Sequence, residues 1–349
     1  MNAGLRVLAP GLLTTVQDLG RPGHQRLGIP VSGALDPVSL RAANALVGNA
    51  PEAGALEVAY VGPTFMVDAD NVRLSFVGAH ATIEILPEIG APNGRYVQSM
   101  RSVRVQRGEV VRIGSLIGGA VLYVGVEGGF DIQPVLGSLS TYIRGGFGGW
   151  QGRALVAGDW LPLCRARASE REECELAGLD LSPPPRFRTI LGPQNDHFAD
   201  REIAAFFDNE YLVSPGADRM GMRLDGYRLD HAKHTTFVSD GIAPGSIQVP
   251  GNGQPIVLLV DRQTAGGYPK IATVISADMP ALGRVPIGAK IAFEPVTLDV
   301  AQSLRREFVA KIDAIGERIV PLRQSSPDTV PSLLDCNLIS GVVDGRGWM

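Results

Sequence analysis

The sequence predicts a mainly β protein built from two β-rich domains, with one helix added near the C-terminus. Three observations carry this. The alternating apolar residues of the N-terminal half, for example over Val103–Ile113 and Ala120–Val126, read as strands. Glycines and prolines crowd the stretch Ser239–Asp278 around one short apolar run, Ile256–Val260. Glycine admits positive φ and proline fixes φ, so such a stretch holds loops in set shapes beside a sheet. Between these regions lies Arg165–Pro185, charged, without apolar periodicity and closed by three prolines, which reads as a solvated, partly extended linker. It divides the chain into a first domain of residues 1–182, a second of residues 186–296 and a C-terminal helix and tail of residues 297–349.

The elements follow in order. Asp36 is placed to cap a helix that starts at Pro37, carries Leu40, Ala43, Asn44 and Val47 at helical spacing and stops near Gly48. Ser115–Gly125 is too short and too glycine-rich to span a membrane and reads as a buried strand. A second helix is expected from near Asp196 through Ile203 to Phe207. The clearest helix is Leu298–Ile319, with Ala301, Leu304, Phe308, Ile312 and Ile315 in one apolar stripe. Three segments, Val105–Ile113, Leu155–Leu163 and Val285–Phe293, each set a glycine turn before alternating apolar residues, as strands returning at a barrel end do.

Composition bounds the function. The 349 residues suffice for two sizeable cores, and 45% hydrophobic with 19% charged residues is ordinary globular composition. A net charge of −4 gives no electrostatic footprint for nucleic acid or an anionic membrane. No secretory signal pattern opens the chain. The cysteines Cys164, Cys174 and Cys336 are odd in number, scattered and without metal spacing, so a reducing, cytoplasmic setting is expected. His24, His80, His197, His231 and His234 include no H-E-x-x-H; His231 and His234 read as surface residues, and no metal site is expected. There is no G-x-x-x-x-G-K-[ST] loop, no nucleophile elbow and no Rossmann turn at Arg144–Trp150.

Four polar segments remain as site candidates. Gln17, Asp18 and Arg21 flank Gly20 just before Pro22, as a capped turn held by an Asp–Arg pair or as a binding turn. Arg144 sits in the glycine-rich loop Ser140–Gly146, able to fork onto a carboxylate or phosphate or to brace the loop. Arg219 follows Asp218 before Gly221. Asp261, Arg262 and Gln263 leave the Ile256–Val260 strand and lead into Tyr268 and Lys270, where polar residues line a pocket mouth. Ser246 and Gln248 lie close by in sequence. Lysine is scarce, occurring only at 233, 270, 290 and 311, so Lys270 in this cluster stands out; its ammonium can tune its pKa by burial, unlike a guanidinium.

Three of these stretches, GLLTTVQDLGRPGHQRLGIPVSGALDP (Gly11–Pro37), VLGSLSTYIRGGFGGWQGRALVAGD (Val135–Asp159) and Ser239–Asp278, resemble the biotin-dependent carboxyltransferase family. That family includes the C-type subunit of 5-oxoprolinase, the second allophanate-hydrolase-type subunit, KipA and the carboxyltransferase part of urea carboxylase. The similarity runs from about Leu5 to Pro295 and implies a cyclophilin-like β-barrel for the second domain.

The resemblance also implies function. One reading is a subunit of an ATP-dependent 5-oxoprolinase, opening 5-oxo-L-proline to L-glutamate with partner subunits of the A type and the B type (KipI-like). ATP would serve the complex without a P-loop here. A second reading is the carboxyltransferase of a urea or amide carboxylase, with biotin carried on a partner chain, since this chain lacks an attachment motif. A third is a non-enzymatic, KipA-like antagonist of a KipI-type inhibitor. In the first two the substrate is a small amide or lactam. Arg21, Arg219 or Arg262 would hold its negative charge, Gln17, Gln248 and Gln263 would read its N–C=O, and Lys270 or Asp261 would move a proton. All are expected around one shared pocket.

Overall fold

A computed structural model describes residues 3–231 and 239–322. His234, Lys233 and Cys336 lie outside the described residues.

The N-terminal part is a sandwich of two antiparallel sheets. The six-stranded sheet runs, in spatial order, Trp160–Pro162, Gly4–Ala9, Thr64–Asp68, Val110–Ile113, Ile83–Leu86 and Arg95–Val97. The five-stranded sheet runs Leu13–Gln17, Ala55–Ala59, Ile117–Val126, Asn71–His80 and Ser102–Gln106. Leu5, Val7, Phe65 and Val67 of the first sheet share one core with Val16, Leu56, Phe76 and Leu122 of the second. One side of each sheet faces the other, which gives Thr64–Asp68 its alternating burial, whereas Asn71–His80 and Ile117–Val126 in the five-stranded sheet are buried on both sides.

The outer face of the five-stranded sheet is covered by the helix Pro37–Val47. Asp36 accepts from the Val38 N–H at 3.0 Å, and Gly48 ends the helix at φ 73°. Leu40, Ala43 and Leu46 pack on Val77, Val121 and Tyr123. Each buried leucine contributes roughly 1.5–3 kcal/mol. The helix comes very near the sheet: a Cβ on Gly125 would lie 2.8 Å from the Ala43 carbonyl oxygen. Only glycine fits there.

The second unit is an eight-stranded sheet from residues 187–295. Its order is Lys290–Ile291, Tyr211–Val213, Gly221–Asp225, Ile256–Leu258, Ser246–Gln248, Lys270–Val274, Phe187–Leu191 and Phe293–Pro295. The first and last of these strands are separated in the chain by Ala292 alone, so one continuous stretch joins both edges and the sheet is a nearly closed barrel. Stacked Phe206 and Phe293, 5.0 Å apart, share its core with Tyr211, Ile247, Val257 and Ile271. The three expected glycine turns are present, with Gly108, Gly158 and Gly288 at φ of 83°, 93° and 82° before Val110–Ile113, Trp160–Pro162 and Lys290–Ile291, but the first two belong to the sandwich and only the third to the barrel.

Three details differ from expectation. The segment 165–185 is not a free linker. Its charges are spent on the sandwich, with Glu173 on Arg73 at 3.1 Å and Glu175 on Arg101 at 2.9 Å, while Cys174–Leu176 forms a two-stranded sheet with Ile319–Pro321. The second helix begins at Asp200, not near Asp196, because Phe198 and Ala199 are extended after a 3-10 turn at Asn195–His197. The last helix stops at Asp313 and continues as a 3-10 turn, freeing Ile319 to pair as a strand. No described helix is long and apolar enough to cross a membrane.

Candidate functional site

The first polar cluster is a clamp between two loops of the sandwich. Asp18 accepts from the Gly20 N–H at 2.7 Å, the Leu139 N–H at 2.6 Å, the Ser138 hydroxyl at 2.6 Å and the Ser140 hydroxyl. It makes no pair with Arg21. Arg21 is buried, donates to the Ser140 and Val135 carbonyls and stacks over Phe147, 5.0 Å from the ring centroid. Burial lowers its pKa, with Asp18 and Asp261 opposing. Gln17 donates to Thr15 Oγ1 at 3.0 Å and the Thr141 carbonyl at 3.2 Å. Two polar atoms of this clamp, Gln17 Oε1 and Arg21 Nη1, are buried without a partner.

The second cluster joins the sandwich to the barrel. Arg219 Nε donates to Asp261 Oδ2 at 2.8 Å, Nη2 to the Gly33 carbonyl at 2.6 Å, and Nη1 to Glu57 Oε1. Glu57 Oε2 accepts from the Leu35 N–H at 2.9 Å and from the Tyr123 hydroxyl. Burial opposes the Arg219 charge, yet the Glu57 and Asp261 carboxylates outweigh it and hold its pKa above the ordinary value. Burial, reinforced by Glu57, raises the Tyr123 pKa well above its usual range, so it stays a neutral donor. The guanidinium is saturated by its own protein. Arg144 is elsewhere again, on the surface, paired with Asp218 at 3.1 Å.

The third cluster lies on the barrel, where Ser246–Gln248 pairs with Lys270–Val274 and the Cα atoms of Gln248 and Lys270 are ladder partners. Gln263 Nε2 donates to Gln248 Oε1 at 3.3 Å, and Gln248 Nε2 is buried with no partner. Lys270 is 3% exposed, and its Nζ lies 3.7 Å from a carboxylate oxygen of Asp240, which is on the surface. Gly266 closes on the two amides: a Cβ there would stand 3.1 Å from Gln248 Nε2 and 3.3 Å from Gln263 Nε2. Tyr268 is half-exposed at 51%. Buried donors without acceptors cost free energy unless a ligand completes them. This makes Gln248, Gln263 and Lys270 the candidate chemical group.

The sequence-predicted residues therefore fall into separate sets. Gln17, Asp18 and Arg21 share the clamp, Arg219 and Asp261 the inter-unit network, and Ser246, Gln248, Gln263 and Lys270 the barrel face. The backbone does bring the segments near one another: Ser32 N–H donates to the Val260 carbonyl and Ala34 N–H to that of Asp18. Arg262 is buried, donating to the Ile242 and Leu259 carbonyls at 3.2 Å each, and burial lowers its pKa. A cavity of about 580 Å³ between the two units, lined by Gly118, Leu181, Pro184, Arg284 and Val285 among others, holds none of the predicted residues. Sequence reasoning missed Glu57, Tyr123, Ser138 and Ser140. Glu57 had a signal: it is a lone carboxylate inside the apolar run Ala55–Ala59, and a charge there needs a buried partner.

Comparison with known proteins agrees with the fold. The C-type subunit of 5-oxoprolinase from Escherichia coli K12 is 37% identical over 317 residues, covering 90% of this chain and 98% of that protein. The urea amidolyase of Saccharomyces cerevisiae is 30% identical over 321 residues, which are 86% of this chain but 17% of that protein. The crystal structure of the Kluyveromyces lactis urea amidolyase superposes with a TM-score of 0.81 at 26% identity, over 93% of this chain and 21% of that longer one. The carboxyltransferase domain family, subdomains A and B, matches residues 27–295, and the chain belongs to it.

Proposed function

We propose that this chain is the C-type subunit of a 5-oxoprolinase, which opens the lactam of 5-oxoproline to glutamate in a complex with A-type and B-type (KipI-like) subunits. One observation carries the reading: the E. coli C-type protein is matched over 98% of its length at 37% identity, whereas the urea amidolyase is matched over only 17% of its length at 30%. ATP supplies the driving force within the complex. A cytoplasmic location accords with the free thiols of Cys164 and Cys174.

Hydrolysis of a lactam puts negative charge on the carbonyl oxygen as water adds, and the ring nitrogen must gain a proton as the C–N bond breaks. In this proposal Gln248 Nε2, buried and without an acceptor, donates to the carbonyl oxygen. Gln263 presents its own oxygen to the lactam N–H. Lys270 stabilises the oxygen's charge and gives the proton to the departing nitrogen.

A second reading has structural support in the 0.81 TM-score against the K. lactis urea amidolyase. There the same donors would face the ureido oxygen of biotin carried by a partner chain. Reconstitution of the chain with its A-type and B-type partners separates the two. Glutamate formed with 5-oxoproline-dependent ATP hydrolysis is the expected result, with little turnover by the chain alone. A complex that carboxylates urea from carboxybiotin and forms no glutamate would overturn the first reading. Lys270→Met should lower the reconstituted rate about 10²-fold or more with folding intact, the scale of a positioned acid–base group.

A further inference from the structure

A cavity of about 430 Å³ opens where the sandwich loop 19–35, the start of the helix Pro37–Val47, the barrel strand end 259–262 and the C-terminal helix meet. Its walls are apolar, including Leu19, Leu35, Leu259, Met279 and Phe308, and its charged lining is Arg41, Arg262 and Arg305 with no carboxylate. Among the described residues none of these three arginines forms an ion pair. Arg262 is 6% exposed and spends its hydrogen bonds on backbone carbonyls, which leave its positive charge uncompensated. Arg305 stacks on Phe308, 5.6 Å from the ring centroid, at the exposed side.

A second, independent feature points into the same place. Ser32 lines the cavity, is 3% exposed, and its hydroxyl has no hydrogen-bond partner. Its backbone is left-handed, φ 55°, a strained conformation for a serine, fixed by its N–H on the Val260 carbonyl. Buried, unanswered donors at a strained position are what a ligand-binding loop retains.

We propose that this cavity binds a compact organic anion. Its charged group, a carboxylate or a phosphate, would rest on Arg262, Arg41 and Arg305, with Ser32 Oγ as a further donor and the apolar walls around its body. The volume is that of a small-molecule site, and guanidinium forks suit both charged groups. Under the proposed function the candidates are the carboxylate of 5-oxoproline and a phosphate of ATP; the anion site itself stands without that function.

Isothermal titration of the purified full chain with 5-oxoproline, glutamate, inorganic phosphate, ATP and the uncharged lactam 2-pyrrolidinone tests it. At least one anion should bind, more weakly at high salt, while 2-pyrrolidinone should not. Binding of 5-oxoproline or glutamate assigns the site to a carboxylate; binding of phosphate or ATP alone assigns it to a phosphate. Arg41→Ala/Arg305→Ala, at partly exposed positions, should weaken that binding about tenfold or more, the scale of charge-assisted hydrogen bonds. Ser32→Gly, which suits the backbone and removes the hydroxyl, should weaken it while keeping the fold. No anion binding at millimolar concentration, equal binding by these variants, or equal binding of 2-pyrrolidinone would overturn the proposal. Because the readout is binding to the isolated chain, a missing 5-oxoprolinase activity would not decide it.

Discussion

Replacing Arg219 by methionine keeps most of the side-chain volume and removes the charge between Glu57 and Asp261. Those carboxylates are 3% and 5% exposed, so water cannot readily take over the lost partner. The substitution strips Asp261 of donors at 2.8 and 3.4 Å, Glu57 of its bond from Nη1 and the Gly33 carbonyl of its donor at 2.6 Å. Breaking a buried pair by removing one partner costs about 3–5 kcal/mol, because the other charge stays buried and unpaired. Here two charges are left, so the upper part of that range is expected. Urea denaturation followed by tryptophan fluorescence reports it, with Trp150 and Trp160 in the sandwich.

Two further outcomes follow from the geometry. Arg219 and Asp261 belong to the barrel and Glu57 to the sandwich, so Arg219→Met should also split unfolding into two steps. The triple variant Glu57→Gln/Arg219→Met/Asp261→Asn removes every charge and should recover more than half of the loss, since uncompensated charge dominates the cost. A single variant within about 1 kcal/mol of the native chain would refute the buried network. So would a triple variant less stable than the single one.

Gly266→Ala should fold normally, because its Cβ would press on the far end of Ile242 at 2.8 Å, yet it should cut reconstituted activity several-fold by displacing the Gln248 and Gln263 amides; full activity would remove that pair from the chemistry. Arg144→Ala should change stability by less than about 0.5 kcal/mol, since its pair with Asp218 is solvent-exposed, as denaturant titration would show. Asp159 is held at a pKa of about 2, chiefly by its hydrogen bonds from Arg153 at 2.7 and 2.8 Å. A depressed carboxylate pKa stabilises above the unfolded value near 3.8 and loses that stability as pH falls through 2. Asp159→Asn should therefore cost about 2 kcal/mol at pH 7, and roughly half of the gap should be gone at pH 3 in paired denaturation curves.

How much of this was legible in the sequence depends on the range of the interaction. The helix Pro37–Val47 was readable at both ends, because Asp36, Pro37 and Gly48 act within one turn of their own position. The turns at Gly108, Gly158 and Gly288 were readable for the same reason, since positive φ is a property of the residue itself. Arg165–Pro185 misled because charge density looks the same whether it meets water or Arg73 and Arg101, and those partners are 100 and 74 residues away in the chain.

The arginines of the candidate site make the same point about function. Asp18 with Arg21 and Asp218 with Arg219 look alike as sequence, each an Asp and Arg beside a glycine. In the fold neither is a local pair: Asp18 serves the loop 138–140, Asp218 pairs with Arg144, and Arg219 is consumed by Glu57 and Asp261. Arg262 shows no motif stronger than these, yet it is buried beside a cavity with no ion pair among the described residues. What separates a brace from a binding residue is therefore the count of acceptors around it, set by strands distant in sequence. By that count Arg219 holds the two units together, while Arg262, Ser32 and Gln248 still have hydrogen-bonding capacity or charge for a ligand to answer.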